Sequence, residues 1–244
     1  MSKLVLTNVR LFANAADLTA ASNKAELQAS VEAKEVTNYA SAGWKEYLGG
    51  LGSGAVDAEG QWEAFDASKV DDSRWADLGG VGPWSICPAG AAVTAPAYLT
   101  KALETSYALL GQVGDVAPWK AAASSAWPLA QGQVANAPGS ALTVTGVGTA
   151  IQLGAVPAGK QLYSNLHVLS VAGTAAPTIT ARIESDNAVG FPSPATQITF
   201  AAATAAGGQA LRAAGAITDD WFRAAWTISG TNPSFLALIA FGIH

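Results

Sequence analysis

The chain has 244 residues, enough for one large domain or two small ones with a real core. Half of it is hydrophobic, much of that alanine, and only 13% is charged, which fits either burial against other copies of the chain or a plain alanine-rich bias. The net charge of −5, with no basic run or aromatic–basic stripe, argues against attractive nucleic-acid binding, although an acidic wall that nucleic acid passes without sticking stays open. The single cysteine, Cys87, excludes an intrachain disulfide and a CxxC metal pattern.

Met1-Ser2-Lys3-Leu4 leads directly into strand-forming sequence at 3–12, without a signal-peptide core, so the product is expected to be made and kept in a cytoplasm until release. After a turn-like stretch at 14–23, residues 25–37 alternate. Leu27, Ala29, Val31 and Ala33 point one way, and Glu26, Gln28, Ser30, Glu32 and Lys34 the other, which predicts a half-buried strand. Residues 38–51 read as a glycine-bearing loop that carries Tyr39, Trp44, Tyr47, Leu48 and Leu51. Large aromatics on a loop call either for a partner that covers them or for folding down onto the chain's own sheet. Residues 54–64 alternate again, with Val56, Ala58, Gly60 and Trp62 opposite an acidic face of Asp57, Glu59, Gln61 and Glu63.

A helix is expected over 67–78, capped by Asp66 or Ser68, with Asp71 and Asp72 at its positive end and Gly79-Gly80 stopping it. Val70, Arg74, Trp75 and Leu78 form the stripe that would pack on a sheet. Strands follow at 83–88, 98–110 and 118–134, the first of them holding Cys87 as a buried structural thiol. Residues 135–140 have turn composition and suggest a domain boundary. Beyond it, strands are expected at 149–156, 160–172, 177–185, 195–202, 208–214, 220–229 and 234–243, a spacing that suits an antiparallel sandwich. The last, Phe235 to Phe241, is apolar on both faces and should be central. The apolar run to Ile243 is too short to span a bilayer.

Catalytic patterns are scarce. The two histidines are His167, in the middle of an alternating strand as a half-buried or surface residue, and His244. No GxSxG, HExxH or phosphate loop occurs, and Gly146-Val147-Gly148 lacks the rest of a dinucleotide fingerprint. Asp57, Glu59 and Glu63 could pair as acid and base, but nothing breaks their symmetry to raise one pKa. Neither a cofactor nor a metal is implied, and the chain reads as a structural protein, not an enzyme.

Residues 1–134 resemble the tail tube (major tail) proteins of long-tailed bacteriophages. The likeness lies in Glu35-Val36-Thr37-Asn38-Tyr39-Ala40-Ser41-Ala42-Gly43-Trp44-Lys45-Glu46-Tyr47-Leu48-Gly49-Gly50-Leu51, where a strand enters a long loop with a G-W-K-E-hydrophobic centre, and in the strand after it. It continues in Gly111-Gln112-Val113-Gly114-Asp115-Val116-Ala117-Pro118-Trp119, which runs into a small-residue strand. The resemblance implies a mainly β fold of packed antiparallel sheets with one flanking helix over 1–138. It implies assembly into rings through sheet edges, with rings stacked into a tube through the loop at 38–51, whose contacts would be Tyr39, Trp44, Lys45, Glu46, Tyr47, Leu48 and Leu51. Residues 139–244 are similar to sandwich domains appended to phage structural proteins. They would either decorate the exterior of a ring of six or act as a second tube-like domain in a ring of three. Partners would be the chain itself and other phage tail proteins in a virion, with DNA passing and no membrane involved. Asp57, Glu59 and Glu63, with Glu26 and Glu32 as further candidates, would face either the lumen or the outside. A capsid decoration or head-completion protein, or a carbohydrate- or receptor-binding sandwich with Trp221 or Tyr163 in an aromatic platform, are the competing readings.

Overall fold

The computed structural model describes residues 4–66 and 68–244. Residues 1–3, where the first expected strand begins, and residue 67, where the expected helix begins, lie outside the described residues. Among the described residues the chain is mainly β, with every strand pairing antiparallel and one α-helix. The elements are β1 (Arg10–Ala13), β2 (Ala16–Asp17), β3 (Ser22–Glu35), β4 (Tyr47–Gln61), α1 (Val70–Asp77), β5 (Val81–Cys87), β6 (Pro96–Leu109), β7 (Pro118–Ser125) and β8 (Ala130–Asn136). They continue as β9 (Gly146–Val147), β10 (Ile151–Gln152), β11 (Gln161–Asp186), β12 (Ala195–Thr199), β13 (Gly207–Ala214) and β14 (Trp221–Ile243).

The strands join one connected network, and packed layers arise within it because its long strands bend and change partner. β6 pairs with β8 over its first residues and with β7 over its last, while β5 lies along its other side as far as Leu103. This produces two sheets, β3-β4-β7-β6 and β1-β5-β6, which close on a core of Leu11, Trp84 and Ile86 against Val56, Ala58, Trp119 and Ala121. The helix seals the same core with Val70.

β11 and β14 pair along nearly their whole length and fold on themselves together. The bend lies where Gly173, Ala175 and Ala176 on one strand and Gly230 and Asn232 on the other have positive φ. The inward parity switches across it. Leu162, Leu166 and Val168 face inward before the bend and Ile179, Ala181 and Ile183 after it, all in one core with Phe222, Trp226, Phe235 and Phe241. Phe235 to Phe241 is central as expected, hydrogen-bonded to β11 on one side and, on the other, to Leu142 at Phe235 and to β8 from Ile239 onward. At that β8–β14 seam the backbones approach so closely that a Cβ at Gly132 would sit 2.0 Å from the Phe241 carbonyl oxygen.

The opposite face of the ribbon's first half packs on β1, β5 and β6 through Tyr163, Leu238, Ala240, Phe12, Cys87 and Leu99. The molecule is therefore layered. The outer face of β3-β4-β7-β6 lies at one end, then come three successive cores, and the folded half of the ribbon lies at the other end.

Several local expectations are corrected. The strand at 25–37 is present but is not half-buried past Leu27, because no third strand covers it. The helix begins at Val70 after Lys69 and has no side-chain cap; Asp66 instead accepts from the Ser68 backbone N–H at 2.8 Å. Val70 and Arg74 are buried, whereas Trp75 and Leu78 face solvent, since eight residues present only a narrow stripe to the sheet. The strand expected over 118–134 breaks at 126–129, where the chain passes from one sheet to the other. The two pairs of strands expected at 160–172 with 177–185 and at 220–229 with 234–243 are continuous β11 and β14, because both partners bend in step. Residues 149–156 form only the short β10 and an isolated bridge at Val156.

His167 is fully buried, not half-exposed, because β5 covers the face that it shares with Tyr163 and Asn165. Its Nδ1 donates to the Asn14 carbonyl at 2.8 Å, which leaves Nε2 to accept from the Ser85 hydroxyl at 2.8 Å. Asn165 donates to the Trp84 carbonyl at 2.9 Å. Under the helix, Arg74 reaches Glu104 at 2.5 Å and Asp77 at 2.6 Å.

Burial pushes the Glu104 carboxyl up to about 7, against the pull of Arg74, and pushes His167 down to about 4. The raised Glu104 adds stability that is full below 4.5 and lost as pH rises through about 7. The lowered His167 adds stability that is full above 6.5 and lost as pH falls through about 4, so the two offset each other between these limits. Glu104→Gln removes the first contribution. The urea midpoint of that variant should then fall steadily as pH drops from 6.5 to 4. A flat profile would contradict the assignment.

Candidate functional site

The most conspicuous surface is built by β3 and β4. From Gln61 to Ala55, β4 lies between β3 and β7, with Val56 and Ala58 in the core. Beyond Ala55 its only partner is β3, and the pair continues as a two-stranded arm to Glu35 and Tyr47. At roughly 3.3 Å per residue the part past Gln28 extends about 20 Å, and its base, Ala29 to Val31 with Gly52 to Gly54, lines a hollow with residues 125–129 and His244 of the body. The loop expected over 38–51 is shorter, because strand pairing with β3 overrides the glycines and places Tyr47, Leu48 and Leu51 within β4.

The arm's end is held by its own short contacts. Asn38 accepts from the Ala40 N–H at 2.8 Å, its own N–H donates to Ser41 Oγ at 3.1 Å, and a 3-10 turn follows over Tyr39–Ser41. Ala42 and Gly43 then take positive φ and turn the chain back. Lys45 pairs with Glu35 at 3.0 Å, Lys34 pairs with Glu32, and the Val36 N–H donates to the Glu46 carbonyl. The arm thus gathers Tyr39, Trp44, Lys45, Glu46, Tyr47, Leu48 and Leu51 at one pole. Trp44 is 80% exposed and Leu51 82%. A two-stranded hairpin is at best marginal in water by itself, and exposed apolar residues of this size mark a contact surface.

Below the arm, the outer face of β3-β4-β7-β6 is open. Asp57 stands opposite Glu26 in register, and Glu59 lies between Lys24, at 3.3 Å, and Lys120. Glu63 lies past the end of β4 and pairs with Lys69 at 2.7 Å. Glu32 lies out on the arm. The face is therefore one of small residues with carboxylates and lysines in rows, and Lys24 alternates with Glu26 on the same side of β3.

Within this sheet two backbone edges are unpaired among the described residues: β3 along its outer side, and β6 beyond Glu104, whose N–H and C=O are taken by Gly80 and Gly79. The first and fourth strands of this sheet run in opposite directions.

Sequence reasoning also missed a Ser85–His167 hydrogen bond, because the two residues are 82 positions apart. Both side chains are fully buried, and the imidazole's other nitrogen meets a backbone carbonyl instead of a carboxylate, so the pair fastens two layers together. Burial pushes the Cys87 thiol up to about 12, far from a reactive thiolate. No group of three or more metal-ligating side chains comes together among the described residues. Tyr163, a candidate platform residue, is buried edge-on against Trp127 with ring centroids 5.8 Å apart.

No protein-family model matches the sequence, and no curated protein matches it. Solved structures do resemble the fold. A chain of a native gene transfer agent virion aligns at 20% identity and TM-score 0.38 over 46% of this chain and 85% of its own. A chain of the sheath–tube complex of an extracellular contractile injection system (PVC) aligns at 11% identity and TM-score 0.43 over 54% and 93%. The SPP1 Dit protein, described as a paradigm of hub adsorption apparatus, aligns at 10% identity and TM-score 0.34 over 97% and 99%. The first two likenesses cover about half of this chain and the third nearly all of it.

Because Trp44 and Tyr47 touch no core, Trp44→Ala combined with Tyr47→Ala should change unfolding free energy by no more than about 0.5 kcal/mol. A urea titration checks this, and a large loss would mean that the arm is part of the fold's own stability.

Proposed function

We propose that this chain is the structural subunit of a phage-type tail tube, and that it closes into rings through its sheet edges and stacks them through the arm. The observation that carries this reading is the four-stranded sheet with two open, oppositely directed edges. Open edges are templates for pairing with another chain. Because the strand count is even, copies related by rotation alone bring β6 of one against β3 of the next in antiparallel register. A heterologous contact of this kind closes into a ring when the rotation divides a full turn. The sequence resemblance to tail tube proteins supports this reading, since it implies a stacking role for the same segment, 38–51.

The layering supports an orientation. Residues 139–244 lie at the opposite end of the layers from the open face. That face would therefore line the channel, with 139–244 outside as a decorating unit in a ring of six. On this reading Asp57, Glu59 and Glu26 face the lumen, where they outnumber Lys24 and Lys120 and leave the wall net acidic, so that DNA passes unheld. The subunit would work in a virion with other tail proteins and perform no catalysis.

Electron microscopy of the purified protein tests the reading directly. Rings or tubes are expected from the wild type, and folded subunits that no longer extend tubes from Trp44→Ala with Tyr47→Ala. Monomers or isolated trimers at high concentration would favour a decoration protein. For the lumen, Asp57→Lys with Glu59→Lys should give tubes that retain DNA in a salt-sensitive way, since phosphate contacts weaken steeply with salt. Equal DNA retention by wild-type tubes would remove the repulsive role.

A further inference from the structure

We propose that the arm of one copy seats on the opposite pole of the next copy, on an apolar surface formed by Phe65, Leu110, Val113 and Val116. This rests on the stacked-ring reading and identifies the surface that receives the arm.

The geometry comes from strand direction. β3 climbs from Ser22 to the arm, while the β6–β7 turn at 110–117 lies at the Ser22 end, because Ser22 pairs with Gly60 and Gly60 with Trp119. Phe65 belongs to the same end, since the Trp62 N–H donates to the Ala117 carbonyl and the Trp62 and Phe65 rings meet edge-on. The two poles of one copy are therefore about 40 Å apart, thirteen steps of roughly 3.3 Å. They cannot touch within a chain. In a stack of like-oriented copies they face each other at every interface.

Both poles are apolar where a single chain gives no reason for it. Phe65 is 93% exposed and Val113 is fully exposed, matching Trp44 and Leu51 on the arm. Beside them is a hollow of about 300 Å³ lined by Asn23, Glu59, Gly60, Leu109, Leu110 and Lys120. The charges agree as well. On the arm Lys34 and Lys45 are engaged by Glu32 and Glu35, and no ion pair involves Glu46 among the described residues. In the hollow Glu59 is engaged by Lys24, and no ion pair involves Lys120 among the described residues.

A second copy is the fitting occupant because the same chain carries both poles, the apolar arm at one end and the apolar turn with Lys120 at the other.

Cross-linking tests it cleanly, since the only native cysteine, Cys87, is buried. Lys45→Cys combined with Asp115→Cys, treated with a short bis-maleimide, should give a ladder of covalent multimers on a denaturing gel, and each single variant should give none. A second variant, Val113→Asp, should form rings that do not stack. Wild-type tubes under the microscope together with no ladder, or long stacks from Val113→Asp, would overturn this contact and leave the tube reading standing. No rings or tubes from the wild type would overturn both.

Discussion

Strand β6 is hydrogen-bonded on one side first to β8 and then to β7, and most of the molecule depends on that succession. A strand that keeps one partner continues one sheet. Here the change of partner, with the chain crossing at 126–129, turns the second half of β6 away from the first. The turn makes room for the core around Trp84 and Trp119. It also leaves β3-β4-β7-β6 as a sheet covered on one face only. Toward the other side, β8 carries the hydrogen bonding onward into β14 and the ribbon. Core, open face and attachment of residues 139–244 thus follow from one strand.

The polar side chains between layers then fix how those layers sit. Hydrophobic packing is tolerant of small slides, whereas a buried hydrogen bond is not, because losing a partner exposes its full desolvation cost. Asn165, His167 and Ser85 tie the ribbon to β5, Asn136 donates to the Ala237 carbonyl at 2.7 Å across the β8–β14 seam, and Arg74 holds the helix against β6. Small residues elsewhere in these strands let the backbones approach. Gly132 and Gly242 do so at the seam.

Alternation was the part of the fold most legible in the residues. Val56-Asp57-Ala58-Glu59 announces a strand with one covered face, and Phe235 to Phe241 announces a central one. What escaped depends on partners distant in sequence. Gly49-Gly50 looks like loop until β3 is seen to pair across it. The Ala172 to Pro177 stretch looks like a break until 229–234 bends beside it. His167 was placed on the correct face, but only the arrival of β5 makes that face interior. Trp75 and Leu78 continue a helical stripe beyond the point where the short helix meets the sheet. The arm's aromatic residues could be singled out from sequence because loops seldom carry them. The pole around Val113 could not, because isolated valines in a turn carry no pattern.

The position of β14 between β11 and β8 has a consequence for synthesis. It follows both partners in sequence, so neither can complete its pairing until residues 221–243 have emerged from the ribosome. Contacts this distant in sequence close slowly, since the loop entropy must be spent before they form. Until then β8 and β11 are raw edges, and the layer that anchors β5 is incomplete. The layers therefore stay short of their finished arrangement until residues 221–243 are made and β14 joins β11 to β8.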